Sequence, residues 1–207
     1  MPKSPTKRRP LTRAALTESA WALFTEKGFH ATSISDIVER AGLTRGAFYS
    51  NYRDKEELFL ALYDVHTDRL LADLQAAAVQ PEPGTHPIVQ LCEHIAGRTP
   101  VERQWFLVSM EFTLHAARNP AIAEQLAVHE DRLAHGLSEV LTTALGRSGA
   151  RSLVPAGDLA RLLIALFEGL TAQQLIHGPD HGFEHLTPRL IHALTAPAEP
   201  DTPPTRA

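Results

Sequence analysis

Residues 29–58, FHATSISDIVERAGLTRGAFYSNYRDKEEL, carry two short helical signals on either side of a single glycine, and that arrangement constrains the rest of the chain. Ser33 is a natural N-cap, and Ile34, Ile37, Val38 and Ala41 then recur on one helical face. Gly42 stands where this helix must stop, because glycine takes the left-handed conformation without a Cβ clash. After Leu43, Thr44 caps a second helix expected over Arg45–Tyr52. Two helices joined by a short turn containing glycine form a helix-turn-helix. Asp54 and Glu57 have the spacing of a capping box and open a third, much longer helix.

The second short helix carries unusual outward chemistry. Leu43, Phe48 and Tyr52 suit a small core, which leaves Thr44, Arg45, Gly46, Ala47, Tyr49, Ser50 and Asn51 outward. Arg45 suits a bidentate contact to guanine, and Ser50 or Asn51 a base edge. Thr44, Tyr49 and Lys55 offer hydrogen bonds or charge to phosphates. Gly46 and Ala47 let the backbone come close to a groove floor. A merely solvated helix has no use for Gly46, which costs about 1 kcal/mol relative to alanine. Ser33, with Lys7 and Arg9 from the N-terminal arm, completes the candidate DNA-contacting set.

The run Gly28-Phe29, Ala31-Thr32-Ser33-Ile34, Ile37, Ala41 through Tyr49, Tyr52 and Lys55-Glu56-Glu57-Leu58 resembles the TetR family of bacterial transcription regulators, TetR/AcrR type. The resemblance is specific over about residues 11–60 and architectural beyond them. It implies phosphate contacts from Thr44, Tyr49 and Lys55 and base contacts from Arg45. It also implies a dimer built on the last two helices and an inducer cavity in the body. Tyr52 replaces the phenylalanine frequent at its position, a change that keeps the core role.

Charge is divided along the chain. Residues 1–60 carry 10 Lys and Arg against 7 Asp and Glu, whereas residues 61–207 carry 10 against 17. A basic end on an acidic body directs polyanions to that end. The arm holds Lys3, Lys7, Arg8, Arg9 and Arg13 with no acid among them, suited to a phosphate backbone or minor groove. Hydrophobic content of 43% with 21% charged residues is that of a globular chain. No apolar run approaches the roughly 18 residues of a membrane span, and no apolar leader follows the basic start, so a cytoplasmic location is expected. Cys92 is the single cysteine and reads as a small buried hydrophobe.

The expected fold is all-α, with about nine helices in all. It comprises a disordered basic arm (1–10), a helix-turn-helix domain (11–54), a helical effector-binding and dimerisation domain (55–196) and a disordered tail (197–207). The first helix runs from about Thr12 to Lys27, with Leu16, Ala20, Leu23 and Phe24 on one stripe and Gly28 closing it. Trp21 lies off that stripe and is assigned to packing against the body. The fourth helix, about Lys55–Val79, is a rod of roughly 37 Å joining the two regions. Further helices are expected at about Pro87–Arg98, Val101–Arg118, Pro120–Leu145, Asp158–His177 and Gly182–Leu194, with no strand.

Two helices of the body bear on function. The helix at 158–177 is apolar nearly all round, more than one core can bury. A two-fold four-helix bundle with the last helix answers that, with Leu163, Phe167, Leu170, Leu186 and Leu190 as candidate interface residues. The helix at 101–118 mixes apolar faces with polar groups that need partners in the protein or in a ligand. Trp105, Phe106, Met110, Phe112 and Phe167 are candidate walls of an effector pocket, and Glu111, His115 and Gln174 its polar anchors. Plain core packing is the competing account of each residue.

Of 11 histidines, ten follow residue 60. His177, His181 and His185 are spaced by four, but Gly178-Pro179 breaks the helix that would align them, and His129 and His135 fall on different faces. Neither arrangement is a metal site. The expected function is a DNA-binding transcriptional regulator, most simply a repressor that binds a palindromic operator as a homodimer and is released by a small-molecule effector. No catalytic residues, cofactor or metal are assigned. A related binding module without operator recognition, or a helical metal-dependent enzyme, are the alternatives.

Overall fold

Capping chemistry sets the starts of the helices that follow Ser33, Thr44, Asp54 and Thr99. The structure, a computed structural model, describes residues 8–80, 84–96, 99–178 and 186–198. These form α1 (Arg8–Ala31), α2 (Ile34–Arg40), α3 (Arg45–Tyr49), α4 (Lys55–Ala78), α5 (Pro87–Ala96), α6 (Pro100–Ala117), α7 (Pro120–Arg147), α8 (Ala156–His177) and α9 (Thr187–Leu194). Two three-residue strands, β1 (Ala150–Ser152) and β2 (Thr195–Pro197), pair antiparallel. The fold is thus nearly all-α, and the ribbon corrects the expectation of no strand.

At α2, Ser33 Oγ accepts the Asp36 N–H at 3.1 Å while Asp36 Oδ2 accepts the Ser33 N–H at 2.9 Å, a complete capping box. Lys27 first, with Ser33, holds the Asp36 carboxyl down to about 2. Gly42, at φ 63, ends α2 in a Schellman turn, with Leu43 N–H on Val38 O at 2.8 Å and Gly42 N–H on Glu39 O at 3.1 Å. The capping box expected at α4 is displaced. Asp54 Oδ1 accepts the Glu57 N–H at 2.7 Å, but Glu57 reaches back to Arg53 N, also at 2.7 Å, not to Asp54. Asn119 precedes Pro120 at the start of α7, with its side-chain amide turned to His115 O at 2.6 Å.

Residues 1–69 with 99–131 make one compact unit and residues 70–98 with 132–207 another. The first holds α1–α3, α4 as far as Arg69, α6 and the start of α7. Its core runs from Leu16, Ala20 and Phe24 through Phe29, Ile37, Phe48 and Leu58 to Phe59, Val108 and Phe112. Phe59 stacks on Phe112 at 4.0 Å and on Trp105 at 5.7 Å. Trp21 closes on Trp105 at 5.7 Å, so it packs inside the same unit. Helix α6, expected in the separate body, therefore shares a core with the helix-turn-helix.

The second unit is centred on Leu74, Ile88, Leu91, Leu137, Leu141, Leu159, Leu163, Phe167 and Ile191. Cys92 is buried there, and burial pushes its thiol up to about 12, so it stays protonated and inert. Among the described residues α8 alone is long and apolar enough to cross a membrane by length and composition. Its pattern has another source. Leu159, Leu163, Phe167 and Leu170 face the unit's own interior, whereas Leu162, Ala165, Gly169 and Ile176 form an exposed stripe at helical spacing. Leu163, Phe167 and Leu170 are thus buried within the subunit and do not face outward as the dimer assignment required. Leu186 and Leu190 are exposed.

Helix α1 begins at Arg8, so Arg8, Arg9 and Pro10 are helical and not part of a disordered arm. Lys3 and Lys7 lie outside the described residues, as do Gly182 and Phe183 of the last expected helix, His181, His185 and most of the C-terminal tail.

Candidate nucleic-acid interface

Helix α3 is short and held by one deep anchor. Phe48 is fully buried, and Tyr52 just beyond the helix is 2% exposed beneath Arg13, whose guanidinium lies 4.6 Å from the ring centre. Burial first raises the Tyr52 hydroxyl pKa, with Arg13 opposing it. Thr44 Oγ1 caps the helix by accepting the Ala47 N–H at 3.2 Å. With Phe48 and Tyr52 turned inward, Thr44, Arg45, Gly46 and Tyr49 stand outward, and Arg45 pairs with no acid among the described residues.

Gly46 has helical geometry, and a Cβ placed on it would meet only Thr44 Oγ1, at 3.7 Å. Neither backbone conformation nor packing inside the protein requires a glycine here, so the face is suited to close approach by something outside.

Several predicted contacts turn elsewhere. Helix α3 ends at Tyr49, so Ser50, Asn51 and Tyr52 form its exit turn. Ser50 Oγ donates to Gly46 O at 2.8 Å but remains exposed. Asn51 Nδ2 donates to Ala47 O at 2.8 Å, and its Oδ1 is shielded from water, so Asn51 does not project outward to a base edge. Ser33 is exposed with its hydroxyl in the α2 cap, and Arg9 is exposed on α1.

Lys55 departs most from the phosphate-contact reading. Its Nζ donates to Phe29 O at 2.7 Å and to Thr32 O at 2.8 Å, and it lies 4.3 Å from the centre of the Phe29 ring. Burial holds its pKa below the usual lysine value. Two of its three protons are thus engaged by the connection between α1 and α2.

The predicted effector set is also divided. Trp105, Phe106, Met110, Glu111 and His115 belong to the first unit, and Phe167 and Gln174 to the second. His66 stacks on Trp105 at 4.4 Å, leaving that indole as part of a packed aromatic column. Glu111 Oε2 accepts the Phe29 N–H at 2.8 Å, and His115 Nε2 lies 3.1 Å from Glu56 Oε1. Protein groups, not a ligand, partner Glu111 and His115, two of the three predicted anchors. A cleft of about 440 Å³ in the first unit is lined instead by Arg13, Tyr52, Arg53, Leu60, Asp64 and His129, among others.

The sequence reading missed the pairing of Gly28 with Glu111. Its one local trace was a glycine followed by Phe29. Among the described residues no group of three His, Cys, Asp or Glu side chains is placed to hold a metal ion.

A helix-turn-helix with an exposed second helix, set in a nearly all-helical chain, defines a DNA-binding regulator. Residues 16–62 match the model of bacterial regulatory proteins of the tetR family, and residues 86–196 match that of the BetI-type transcriptional repressor, C-terminal. The chain belongs to the TetR family of transcription regulators. It is 24% identical over 174 residues to the HTH-type transcriptional regulator YfiR of Bacillus subtilis, covering 84% of this chain and 85% of that protein. It is 25% identical over 180 residues to the HTH-type transcriptional repressor Rv1474c of Mycobacterium tuberculosis, covering 87% and 90%. The solved structure of Salmonella enterica GusR superposes with a TM-score of 0.62 at 24% identity, over 82% of this chain and 85% of that one.

Proposed function

We propose that this regulator is a cytoplasmic repressor that binds a palindromic operator as a homodimer and releases it when a small molecule binds. The observation that carries the DNA reading is the outward face of α3, where Arg45 and Tyr49 flank a glycine that nothing inside the protein needs. Arg45 supplies base recognition, and Thr44, Tyr49, Ser50 and Arg9 supply hydrogen bonds or charge to the backbone. Lys7 joins them as a sequence-based assignment. Two copies related by a two-fold axis would read half-sites about 34–36 Å apart, or a multiple of that.

Dimerisation is assigned to the exposed stripe Leu162, Ala165, Gly169 and Ile176 of α8 together with Leu186 and Leu190. Isologous pairing of such stripes buries apolar surface that a single copy leaves in water. The effector is a small molecule bound by the C-terminal region, and its action requires different affinities for the DNA-bound and free conformations.

Selection of genomic fragments by the purified protein, run beside Arg45→Ala, tests this reading. Enrichment of a palindrome that the variant loses supports it. No enrichment by protein refolded free of small molecules rejects it.

A further inference from the structure

Helix α6 falls within the segment matched by the C-terminal repressor model, yet it folds inside the unit that carries the helix-turn-helix. From it Glu111 reaches the entry to that motif, its Oε2 accepting the Phe29 N–H at 2.8 Å across 82 positions of sequence. The carbonyl of the same residue accepts from Lys55 Nζ at 2.7 Å, so the two peptide groups flanking Phe29 are each held by a side chain. The Phe29 ring is 1% exposed, set edge-on to Phe112 of α6 at 5.0 Å and to Phe59 of α4 at 5.6 Å. The entry to α2 is thereby fixed to both helices. Beyond it, the Schellman turn at Gly42 ties α2 to α3, so the two short helices follow that entry together.

A second observation shows that the backbone is shaped for this contact. Gly28 sits at φ 85, ψ 165, and a Cβ there would lie 2.8 Å from Glu111 Oε2 and 2.9 Å from Oε1. The positive φ calls for glycine by itself, and the missing side chain also leaves the space that the Glu111 carboxylate occupies.

We propose that Glu111 is a positioning residue for DNA recognition, its carboxylate on the Phe29 N–H fixing where α2 and α3 are held on α4 and α6. A displacement of α6 along its axis would then drag the reader through this bond. The inference rests on α3 being the DNA-reading helix and adds the residue that aims it.

The test compares full-length wild type, Glu111→Ala and Glu111→Gln. Hydrogen exchange in the free protein is expected to quicken at least about tenfold over residues 33–52 in Glu111→Ala and to stay unchanged over residues 137–147. Glu111→Gln keeps an acceptor oxygen and is expected to restore most of the protection. On the duplex that wild type selects from genomic fragments, Glu111→Ala is expected to raise Kd about tenfold where circular dichroism shows it folded, with unchanged affinity for random duplex. Wild-type exchange over 33–52, or an unchanged Kd for the selected duplex, overturns the proposal. Should Glu111→Ala not fold, Glu111→Asp takes its place, since its shorter reach must also speed exchange if the bond matters. If wild type selects no duplex, the DNA reading fails, and the exchange comparison still decides whether Glu111 holds the reader.

Discussion

His86 Nε2 lies 3.0 Å from Thr195 Oγ1, and the environment of the imidazole fixes which nitrogen carries its proton. Nδ1 accepts the Ile88 N–H at 3.3 Å, so Nε2 must be the donor to Thr195, whose hydroxyl donates onward to Ile191 O at 2.9 Å. His192 stands 4.9 Å away, ring to ring. Burial first, and His192 second, depress the His86 pKa below its usual value. A folded pKa lying below the unfolded one means that the unfolded chain binds the proton first. The stability contributed is therefore present above about pH 6.5 and is lost as pH falls through the folded value. The melting temperature is expected to drop between pH 7.5 and 5.5, and the drop to shrink in His86→Gln, measured by calorimetry at both pH values.

Two adjacent substitutions on α3 should separate stability from recognition. Arg45→Ala is expected to weaken binding to the selected duplex by about 1–3 kcal/mol and to leave the melting temperature unchanged. Gly46→Ala is expected to stabilise the free protein by up to about 1 kcal/mol, since a Cβ there makes only an ordinary contact with Thr44 Oγ1, while weakening duplex binding. Paired thermal melts and titrations with labelled duplex check both signs.

Gly28 and Gly42 both have positive φ, at 85° and 63°, but only Gly28 has a neighbour where a side chain would go. Gly42→Ala should cost about 1–2 kcal/mol, the left-handed penalty alone. Gly28→Ala should cost more, because the Glu111 carboxylate must also move. Denaturant unfolding of the two variants in parallel gives the comparison.

Lys55→Met should lower unfolding stability by about 1–3 kcal/mol, since two carbonyl acceptors lose their donor. A phosphate-binding lysine would instead lower the salt dependence of duplex affinity by about one unit of slope. The slope is expected to stay at its wild-type value, read from titrations at several salt concentrations.

Leu162→Glu should dissociate the proposed dimer and leave each subunit folded, because Leu162 is 41% exposed within one copy. Leu163→Glu, one position on but 3% exposed, should unfold the subunit instead. Sedimentation velocity with circular dichroism distinguishes the two results.

The caps that open the short helices and α4 were legible in the sequence, whereas the local turn of Ser50 and Asn51 onto Gly46 O and Ala47 O was not. Ser33 with Asp36, Thr44 with Ala47 and Asp54 with Glu57 are all caps across three positions, and each helix they open starts where expected. Legibility fails where a side chain answers to a distant partner. Lys55 reaches back 26 and 23 positions, Glu111 reaches 82, and the ribbon joins Ala150 to Pro197. The apolar composition of α8 revealed surplus hydrophobic surface without revealing which side the core takes. Leu162 and Leu163 are equally apolar, yet the first is exposed and the second buried.

The shared core of α6 and the helix-turn-helix bears on how this reader is transplanted. A graft cut at the end of α3, or anywhere before α6, would strip Trp105, Val108 and Phe112 from the hydrophobic interior and leave the Phe29 amide without its carboxylate. A chimaera exchanging specificity between relatives must carry α6 along, or exchange only the outward residues of α3.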